Sequence, residues 1–412
     1  MSAAAAGFWR SVLVVLTGSA AAQAIPLLGS LVIARLFSPA QYGQFATWLG
    51  VVAVGAVVIT GRYEMTLAIE RDGEPRRVAA RATLLVVLCG GALLTVASVL
   101  AGLLGIAGAI EPLLLWATGP AAAAVAASQT WQSWAAADGN YRDLSIIRIV
   151  QAGAVTAAQI LAGLLDAPAS GLALAHLGGV AAGTLLASRR LPLGRASAAH
   201  DAVPGALDFL RRQRRFPMLA LPADSVNTAA AQLPLVIVAH RFGADVAGLL
   251  ALTLRIVGAP IGLLGASVLD VFRRRSAASY VERGECRTEY VDTFRMLALG
   301  SGVVAVTLAL VAEPAFALAF GDTWLMSGTM AAWLMPMFAL RFVASPLSYM
   351  FYVAGKQHLD LAWQLALLAT TVASLWLPRS PETAVQVYGA GYAVLYCIYL
   401  ALTYRLSKGT HS

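Results

Sequence analysis

Charged residues are scarce in this chain. Lys, Arg, Asp and Glu make up only 12% of its 412 residues, whereas 59% are hydrophobic, and the mean hydropathy is +0.73. Soluble domains carry about twice this charged fraction. Apolar runs that are long enough to cross about 30 Å of hydrocarbon recur along the chain. The composition excludes a soluble globular protein and predicts an all-α, polytopic membrane protein.

Cysteine and histidine are also rare, and neither is arranged to hold a metal. Cys89, Cys286 and Cys397 are scattered, so they indicate neither a disulfide framework nor a metal site. The five histidines show no spacing typical of ligands either. We therefore expect no metal in this protein.

Twelve apolar runs are predicted to be transmembrane helices. They lie at about residues 11–34, 41–63, 82–107, 112–136, 145–165, 168–187, 217–239, 246–270, 296–318, 325–353, 359–377 and 383–404. The polar interval between the sixth and seventh runs predicts a cytoplasmic linker, either with a basic amphipathic helix on the inner leaflet or simply solvated. We expect an N-terminal lobe of six helices (1–190), the linker (191–216) and a C-terminal lobe of six helices (217–412).

The basic residues orient the chain in the membrane. If alternate loops face the cytoplasm, most of the 29 Lys and Arg residues lie on that side. The positive-inside rule then places both termini in the cytoplasm. Because insertion explains the net charge of +8, no nucleic-acid partner is implied.

Two copies of one pattern lie within apolar runs, Arg255-Ile-Val-Gly-Ala-Pro260 and Arg341-Phe-Val-Ala-Ser-Pro346. An arginine in hydrocarbon is costly and is by default functional. Each proline removes a helical hydrogen bond, which predicts a kink beside the charge. Guanidinium groups bind phosphate oxygens bidentately. We predict that Arg255 and Arg341 bind an anionic substrate at comparable depth; the alternative is that they anchor carbonyls loosened by the prolines.

Further candidate residues lie in the second and seventh runs. Arg62 and Glu64 are two positions apart, so we expect them to face different sides of a helix and not to pair. Arg62 either extends a cationic lining towards the cytoplasmic mouth or reaches the interface as a snorkelling side chain. Asp224 and Asn227 share a helix face, with Gln232 partly round it. Asp224 is a candidate for ion coupling or a fixed counter-charge.

The two halves of the chain resemble each other. Ser19-Ala-Ala-Ala-Gln23 parallels Thr228-Ala-Ala-Ala-Gln232, and the segment from Phe37 to Ala46 parallels that from Phe242 to Ala251, which aligns Gly43 with Gly248. Six crossings separate the copies, so they run in the same direction. Such a parallel repeat places substrate sites at the interface between the halves. Gln23 and Gln232 are therefore candidate polar residues of a cavity.

Several segments resemble the Wzx-type polysaccharide flippases of the multidrug/oligosaccharidyl-lipid/polysaccharide exporter superfamily. They are Arg35-Leu-Phe-Ser-Pro-Ala-Gln-Tyr42-Gly43, Gly61-Arg62-Tyr63-Glu64, and a block from Arg215-Phe-Pro217 through Asn227, Leu254-Arg255 and Pro260 to Val271-Phe272. The resemblance implies two six-helix lobes around a central cavity open alternately to each side of a bacterial cytoplasmic membrane.

The same resemblance implies a substrate, an oligosaccharide on a polyprenyl diphosphate within the membrane lipid. It also implies a polysaccharide polymerase and chain-length machinery as partners, and neither catalytic residues nor a cofactor. Two alternatives stay open. A membrane polymerase or glycosyltransferase acting on lipid-linked glycans is disfavoured because the predicted outer loops are short. A cation-coupled multidrug exporter would be favoured by a carboxylate in the first span, which contains none.

The predicted orientation is testable with reporter fusions. A reporter joined after Arg215, in the predicted linker, and another at Ser412 should both show cytoplasmic activity, because the basic loops hold these positions inside. A fusion in the predicted outer loop at Arg379 serves as the opposite control. Periplasmic activity at either of the first two positions would contradict the topology.

Overall fold

The computed structural model describes residues 3–105, 111–193 and 205–409, and over these ranges the protein contains α-helices, short 3₁₀ and π segments and turns. Side chains are described from Thr17 onward, except at 260–267, 270 and 281. The described residues divide into two compact units. Unit 1 contains the residues up to Phe37 and Gln44–Gln232, and unit 2 contains Ser38–Gly43 and the residues from Leu233 onward.

Unit 1 is a bundle of helices. Its helices are α1 (Ala3–Leu36), α2 (Pro39–Thr60), α3 (Glu74–Leu103), α4 (Pro112–Ala137), α5 (Tyr141–Leu164), α6 (Ala169–Arg190), the short α7 (Ala206–Arg212) and the first half of α8 (Leu221–Phe242). Helix α5 packs on α1 and α6, and α4 packs on α3 and α6. A 3₁₀ segment, Tyr63–Ala68, follows α2, and a π segment, Phe216–Ala220, precedes α8.

Unit 2 continues from the second half of α8. Its helices are α9 (Ala244–Arg283), α10 (Arg287–Phe320), α11 (Leu325–Leu347), the single turn α12 (Met350–Val353), α13 (Gln357–Trp376) and α14 (Pro381–Ser407). Helix α11 lies at its centre and packs on α9, α10 and α14. The 3₁₀ turn Asp322–Trp324 introduces α11.

The helices fit a membrane. Within the described ranges, nine are long and apolar enough to cross one: α1, α2, α3, α5, α6, α10, α11 with α12, α13 and α14. Helices α4, α8 and α9 have 26, 22 and 40 residues, so at 1.5 Å per residue they also reach at least 30 Å. The protein is thus a polytopic, all-α membrane protein, as its composition predicts.

The units differ from the predicted lobes in two places. The first half of α8 belongs to unit 1, and the first turn of α2 belongs to unit 2. In unit 2, α9 is also longer than the predicted run because it continues without interruption to Arg283. The side chain of Pro260 lies outside the described residues, so the kink beside Arg255 stays a prediction. Pro346 is in the last turn of α11, and the helix ends one residue later.

The linker helix α7 is docked on unit 1 through its apolar face. Phe209 is only 1% exposed and packs against the Tyr63 ring, with 5.8 Å between centroids. Arg212 donates to both carboxylate oxygens of Glu70 at 3.0 Å. A short helix thus lies within the predicted linker, and its buried residue faces the protein; whether the linker contacts the inner leaflet stays a prediction. Residues 194–204 of the predicted linker lie outside the described part.

Docking of α7 makes a testable prediction about stability. Phe209→Ala removes a fully buried ring and should lower the free energy of unfolding by about 3–5 kcal/mol. Leu207→Ala, on the same helix but 68% exposed, is the matched control and should change it little. Thermal unfolding of both variants in detergent measures the difference. Equal effects would mean that α7 is held by the membrane surface instead.

Candidate functional site

A cluster of three charges lies next to the C-terminal end of α2, within unit 1. Arg62 Nε lies 2.7 Å from Asp224 Oδ2, and Arg62 Nη1 lies 3.0 Å from Glu64 Oε1. The Glu64 side chain is 5% exposed, and its second oxygen has no hydrogen-bond partner among the described residues. Two carboxylates therefore face one guanidinium, and Asp224 has the geometry of a fixed counter-charge.

The prediction that Arg62 and Glu64 do not pair is wrong. It assumed that both residues are on one regular helix, where positions two apart face different sides. Helix α2 ends at Thr60, and Arg62 has a left-handed backbone with φ 60° before the 3₁₀ segment begins. This conformation costs a non-glycine residue about 1–2 kcal/mol. It turns the arginine back towards Glu64, so the helical rule does not apply.

The other predicted polar residues of unit 1 are less organised. Gln23 and Asn227 are exposed and form no side-chain hydrogen bond with a described residue. Gln232 packs on Gly50, where an added Cβ would lie 3.1 Å from Gln232 Oε1. For these three residues, a position in a cavity stays a prediction.

A second guanidinium of unit 1, that of Arg148, was not among the residues singled out from the sequence. Arg148 is inside the predicted span 145–165, and in the structure it lies two turns inside α5. Its Nε donates to Gln132 Oε1 and its Nη1 to Ser19 Oγ, both at 2.9 Å. Gln132 in turn donates to Ser128 at 3.1 Å. Every partner seen for Arg148 among the described residues is neutral, so its charge is oriented without being cancelled.

Arg148 could have been found from its place inside the predicted span 145–165, because a charge in hydrocarbon is costly and is by default functional. The charges Arg142 and Asp143 set the apparent start of the apolar run at Ser145, but helix α5 begins at Tyr141. Its partners come from α1 and α4, and sequence spacing does not reveal such contacts.

In unit 2, Arg255 is held by an aromatic hydroxyl. Its Nη1 lies 3.1 Å from the hydroxyl oxygen of Tyr42, which comes from the first turn of α2. Tyr42 is 3% exposed and meets Trp324 edge to face, with 5.6 Å between ring centroids. The arginine side chain itself is half-buried. A neutral, rigidly placed group thus orients one nitrogen of this guanidinium.

Arg341 has the most accessible of these charges. It lies in the second half of α11, between Leu340 and Phe342, yet its side chain is exposed. No hydrogen bond or ion pair joins it to another residue of the described ranges.

The two arginines differ in position along their helices. At 1.5 Å per residue, about 17 Å of rise separates Ala244 from Arg255, and about 24 Å separates Leu325 from Arg341. Arg341 is thus more than one turn farther from the start of its helix, so the prediction of comparable depth receives no support from helix position.

Comparison with known proteins identifies the chain. The profile of a family described as polysaccharide biosynthesis protein matches residues 32–328, well over half of the sequence. The chain belongs to this family. The predicted resemblance to Wzx-type exporters is confirmed. The matched range includes Arg62, Arg148, Asp224 and Arg255, whereas Arg341 lies beyond it. No curated protein sequence matches the chain.

Solved structures share the fold. A multidrug resistance MATE family transporter of the MOP superfamily, in an inward-facing conformation, has a TM-score of 0.69 at 15% identity, covering 93% of this chain and 94% of its own. The lipid II flippase MurJ, inward closed, has a TM-score of 0.71 at 11% identity, with 95% and 87% covered. A MOP superfamily transporter from Pyrococcus furiosus has a TM-score of 0.52 at 15% identity, with 97% and 95% covered. The protein has the fold of this exporter superfamily.

The Arg62 cluster yields a prediction about stability. Asp224→Asn removes one carboxylate from a partly buried ion pair and should lower the unfolding free energy by about 1–2 kcal/mol, between the values for exposed and buried pairs. The double variant with Arg62→Gln should lose less than the sum of the single changes. Glu285→Gln, at an exposed carboxylate, is the control. Additive losses in thermal unfolding would show that the 2.7 Å contact contributes nothing.

Proposed function

We propose that the protein moves a polyprenyl-diphosphate-linked oligosaccharide repeat unit from the inner to the outer leaflet of the bacterial cytoplasmic membrane, for surface polysaccharide synthesis. In this proposal twelve spans form two lobes of six, both termini are cytoplasmic, and transport proceeds by alternating access without bond-making chemistry. Family membership supports a polysaccharide precursor as the cargo, and the fold supports transport. Polymerase and chain-length proteins would act on the product.

The observation that carries the proposal is the state of Arg341. A charged side chain at the centre of a membrane helix costs about 2.5–3.5 kcal/mol on insertion scales. Helices compensate this cost with a protein partner, and Arg62 has two. The exposed Arg341 has none within the described residues. Such a cation in a transporter is suited to a ligand that brings its own negative charge, and a diphosphate offers several oxygens to one guanidinium fork.

Arg255 and Arg148 support the same proposal. Tyr42 holds the first, and Gln132 with Ser19 holds the second, through neutral oxygens. Hydrogen bonds of this kind orient a guanidinium, and the neutral oxygens that accept them bring no negative charge of their own. Arg62 differs because Asp224 and Glu64 already bind it, so it could contact a diphosphate only after one carboxylate is released. We therefore assign the diphosphate to Arg255 and Arg341 first, and Asp224 to the control of Arg62.

Gene deletion tests the transport step. Cells without the protein should accumulate lipid-linked single repeat units on the inner leaflet, because synthesis continues and transfer stops. Leaflet location can be read from the accessibility of the glycan to an external glycosidase. Units that reach the outer leaflet but stay unpolymerised would contradict the proposal and favour the polymerase or glycosyltransferase.

Complementation of the deletion tests the arginines. The Arg341→Gln variant should have a transport rate about ten- to a hundredfold lower than wild type. This is the effect expected from the loss of a charge-assisted hydrogen bond worth about 1.5–3 kcal/mol. Arg341→Lys should keep part of the transport activity, since a point cation still attracts phosphate. Arg379→Gln, at an exposed arginine between α13 and α14, is the control and should transport normally. Full transport by well-expressed Arg341→Gln would refute the role given to this residue.

A further inference from the structure

Two five-residue segments of unit 2, Pro39–Gly43 and Ala244–Gly248, contact each other backbone to backbone. A Cβ on Gly43 would overlap the carbonyl oxygen of Ala244 and lie 2.6 Å from the nitrogen of Gly248. A Cβ on Gly248 would overlap the carbonyl oxygen of Pro39 and lie 2.9 Å from the nitrogen of Gly43. Each glycine therefore faces the first residue of the opposite segment, and any side chain at either glycine would separate the helices.

This glycine crossing joins equivalent positions of the internal repeat. The offset that aligns Gly43 with Gly248 also aligns Pro39 with Ala244. Reciprocal contacts between equivalent residues are what an interface with twofold symmetry produces. A chance match between alanine-rich stretches would not place the matched residues against each other in this way. The crossing is accordingly a pseudo-symmetric contact between the first turns of α2 and α9.

The symmetry ends at the residues that carry polar groups. By the same offset, Tyr42 is equivalent to Ala247, and Arg255 is equivalent to Gly50. The tyrosine and the arginine thus each occur in one copy of the repeat and not in the other. The Tyr42 hydroxyl oxygen and Arg255 Nη1 are 3.1 Å apart. The repeated glycines allow the two helices to approach closely. The contact between Tyr42 and Arg255 lies next to this crossing and has no counterpart in the other copy of the repeat.

The surroundings fix both partners. Arg255 lies seven residues after Gly248, which returns it to the same face of α9 after two turns. The opposite face of α9 is tied to α11, because Thr253 donates to the carbonyl of Ser327 at 2.9 Å and Ser327 Oγ donates to the carbonyl of Leu249 at 3.0 Å. Tyr42 is buried against Trp324, which is fully buried itself. The tyrosine hydroxyl therefore has little freedom to move away from the guanidinium.

We propose that Tyr42 is a positioning residue for Arg255, set in place by the glycine crossing, and that it fixes the direction in which this guanidinium is presented to the diphosphate. The inference rests on the proposed function for its ligand. A hydroxyl serves this purpose better than a carboxylate would. Its neutral oxygen accepts a hydrogen bond from Nη1 without placing a negative charge beside the guanidinium, whereas the carboxylates at Arg62 do place one there.

The test compares Tyr42→Phe with wild type in two measurements on the purified full-length protein. The substitution removes one oxygen and keeps the ring against Trp324. In ¹⁵N-arginine spectra without ligand, the side-chain signal of Arg255, assigned with Arg255→Lys, should shift or broaden because its acceptor is gone. Affinity for a short-chain polyprenyl diphosphate should fall by about three- to tenfold. Tyr290→Phe, which loses a buried hydrogen bond to Leu400 and Thr403, controls for general loosening and should change neither.

The outcomes separate the two proposals. If Arg255→Gln loses affinity and Tyr42→Phe does not, the positioning role is refuted and the proposed function stands. If Arg255→Gln and Arg341→Gln both bind as wild type does, the assignment of the diphosphate is refuted. The arginine spectrum then decides the positioning role alone, since an unchanged Arg255 signal in Tyr42→Phe would contradict it and a displaced one would support it.

A second variant tests the glycine crossing itself. Gly248→Ala should displace the Arg255 signal as Tyr42→Phe does, because the added methyl group separates the helices that bring the pair together. Gly300→Ala in α10, where a Cβ would meet nothing within 4 Å, is the matched control. Should Gly248→Ala fail to accumulate, Tyr42→Phe still decides the question. A folded Gly248→Ala protein with an unperturbed Arg255 signal would mean that the crossing does not hold the pair.

Discussion

The positive charge of a guanidinium group inside a membrane bundle is costly, so the group needs partners that stabilise it. The arginines of this protein differ in the kind of partner that each one has. Arg62 is met by two carboxylates, Arg148 by an amide and a hydroxyl, Arg255 by a phenol, and Arg341 by no described residue through a hydrogen bond or ion pair. Carboxylates cancel the charge, whereas neutral oxygens only direct it. The first arrangement stabilises a turn. The neutral partners of Arg148 and Arg255 orient a cation without adding a negative charge, at a depth where hydrocarbon disfavours the cation.

The sequence predicted the fold class, the family and most helices because these follow from long apolar runs and local patterns. It failed where backbone conformation or contacts between distant residues decide the outcome. Arg62 pairs with Glu64 because of a left-handed residue that no helical rule anticipates. Arg148 lies inside a predicted span, but its contacts could not be predicted because its partners come from two other helices. The contact between Phe209 and Tyr63 could not be predicted, because the two residues are far apart in sequence.

The two copies of the internal repeat contact each other at the glycine crossing. Equivalent glycines, Gly43 and Gly248, allow two helix starts to approach as closely as backbone atoms permit, and neither position accepts a Cβ. Duplicated segments thus retain a shared contact, while the residues next to it differ: Tyr42 and Arg255 have Ala247 and Gly50 as their counterparts. The glycine contact is symmetric, whereas the Tyr42–Arg255 pair occurs on one side only. The charge of Arg255 is therefore oriented by one local contact, with no change in the packing of the other helices.

The central claim is that Arg255 and Arg341 recognise the charge of a lipid carrier. Equilibrium binding of the purified protein to a short-chain polyprenyl diphosphate and to the uncharged polyprenol of the same length tests it most directly. The wild type should prefer the diphosphate by at least about tenfold, and the double variant Arg255→Gln/Arg341→Gln should lose that preference while its affinity for the polyprenol is unchanged. A folded double variant that keeps the full preference would contradict the account.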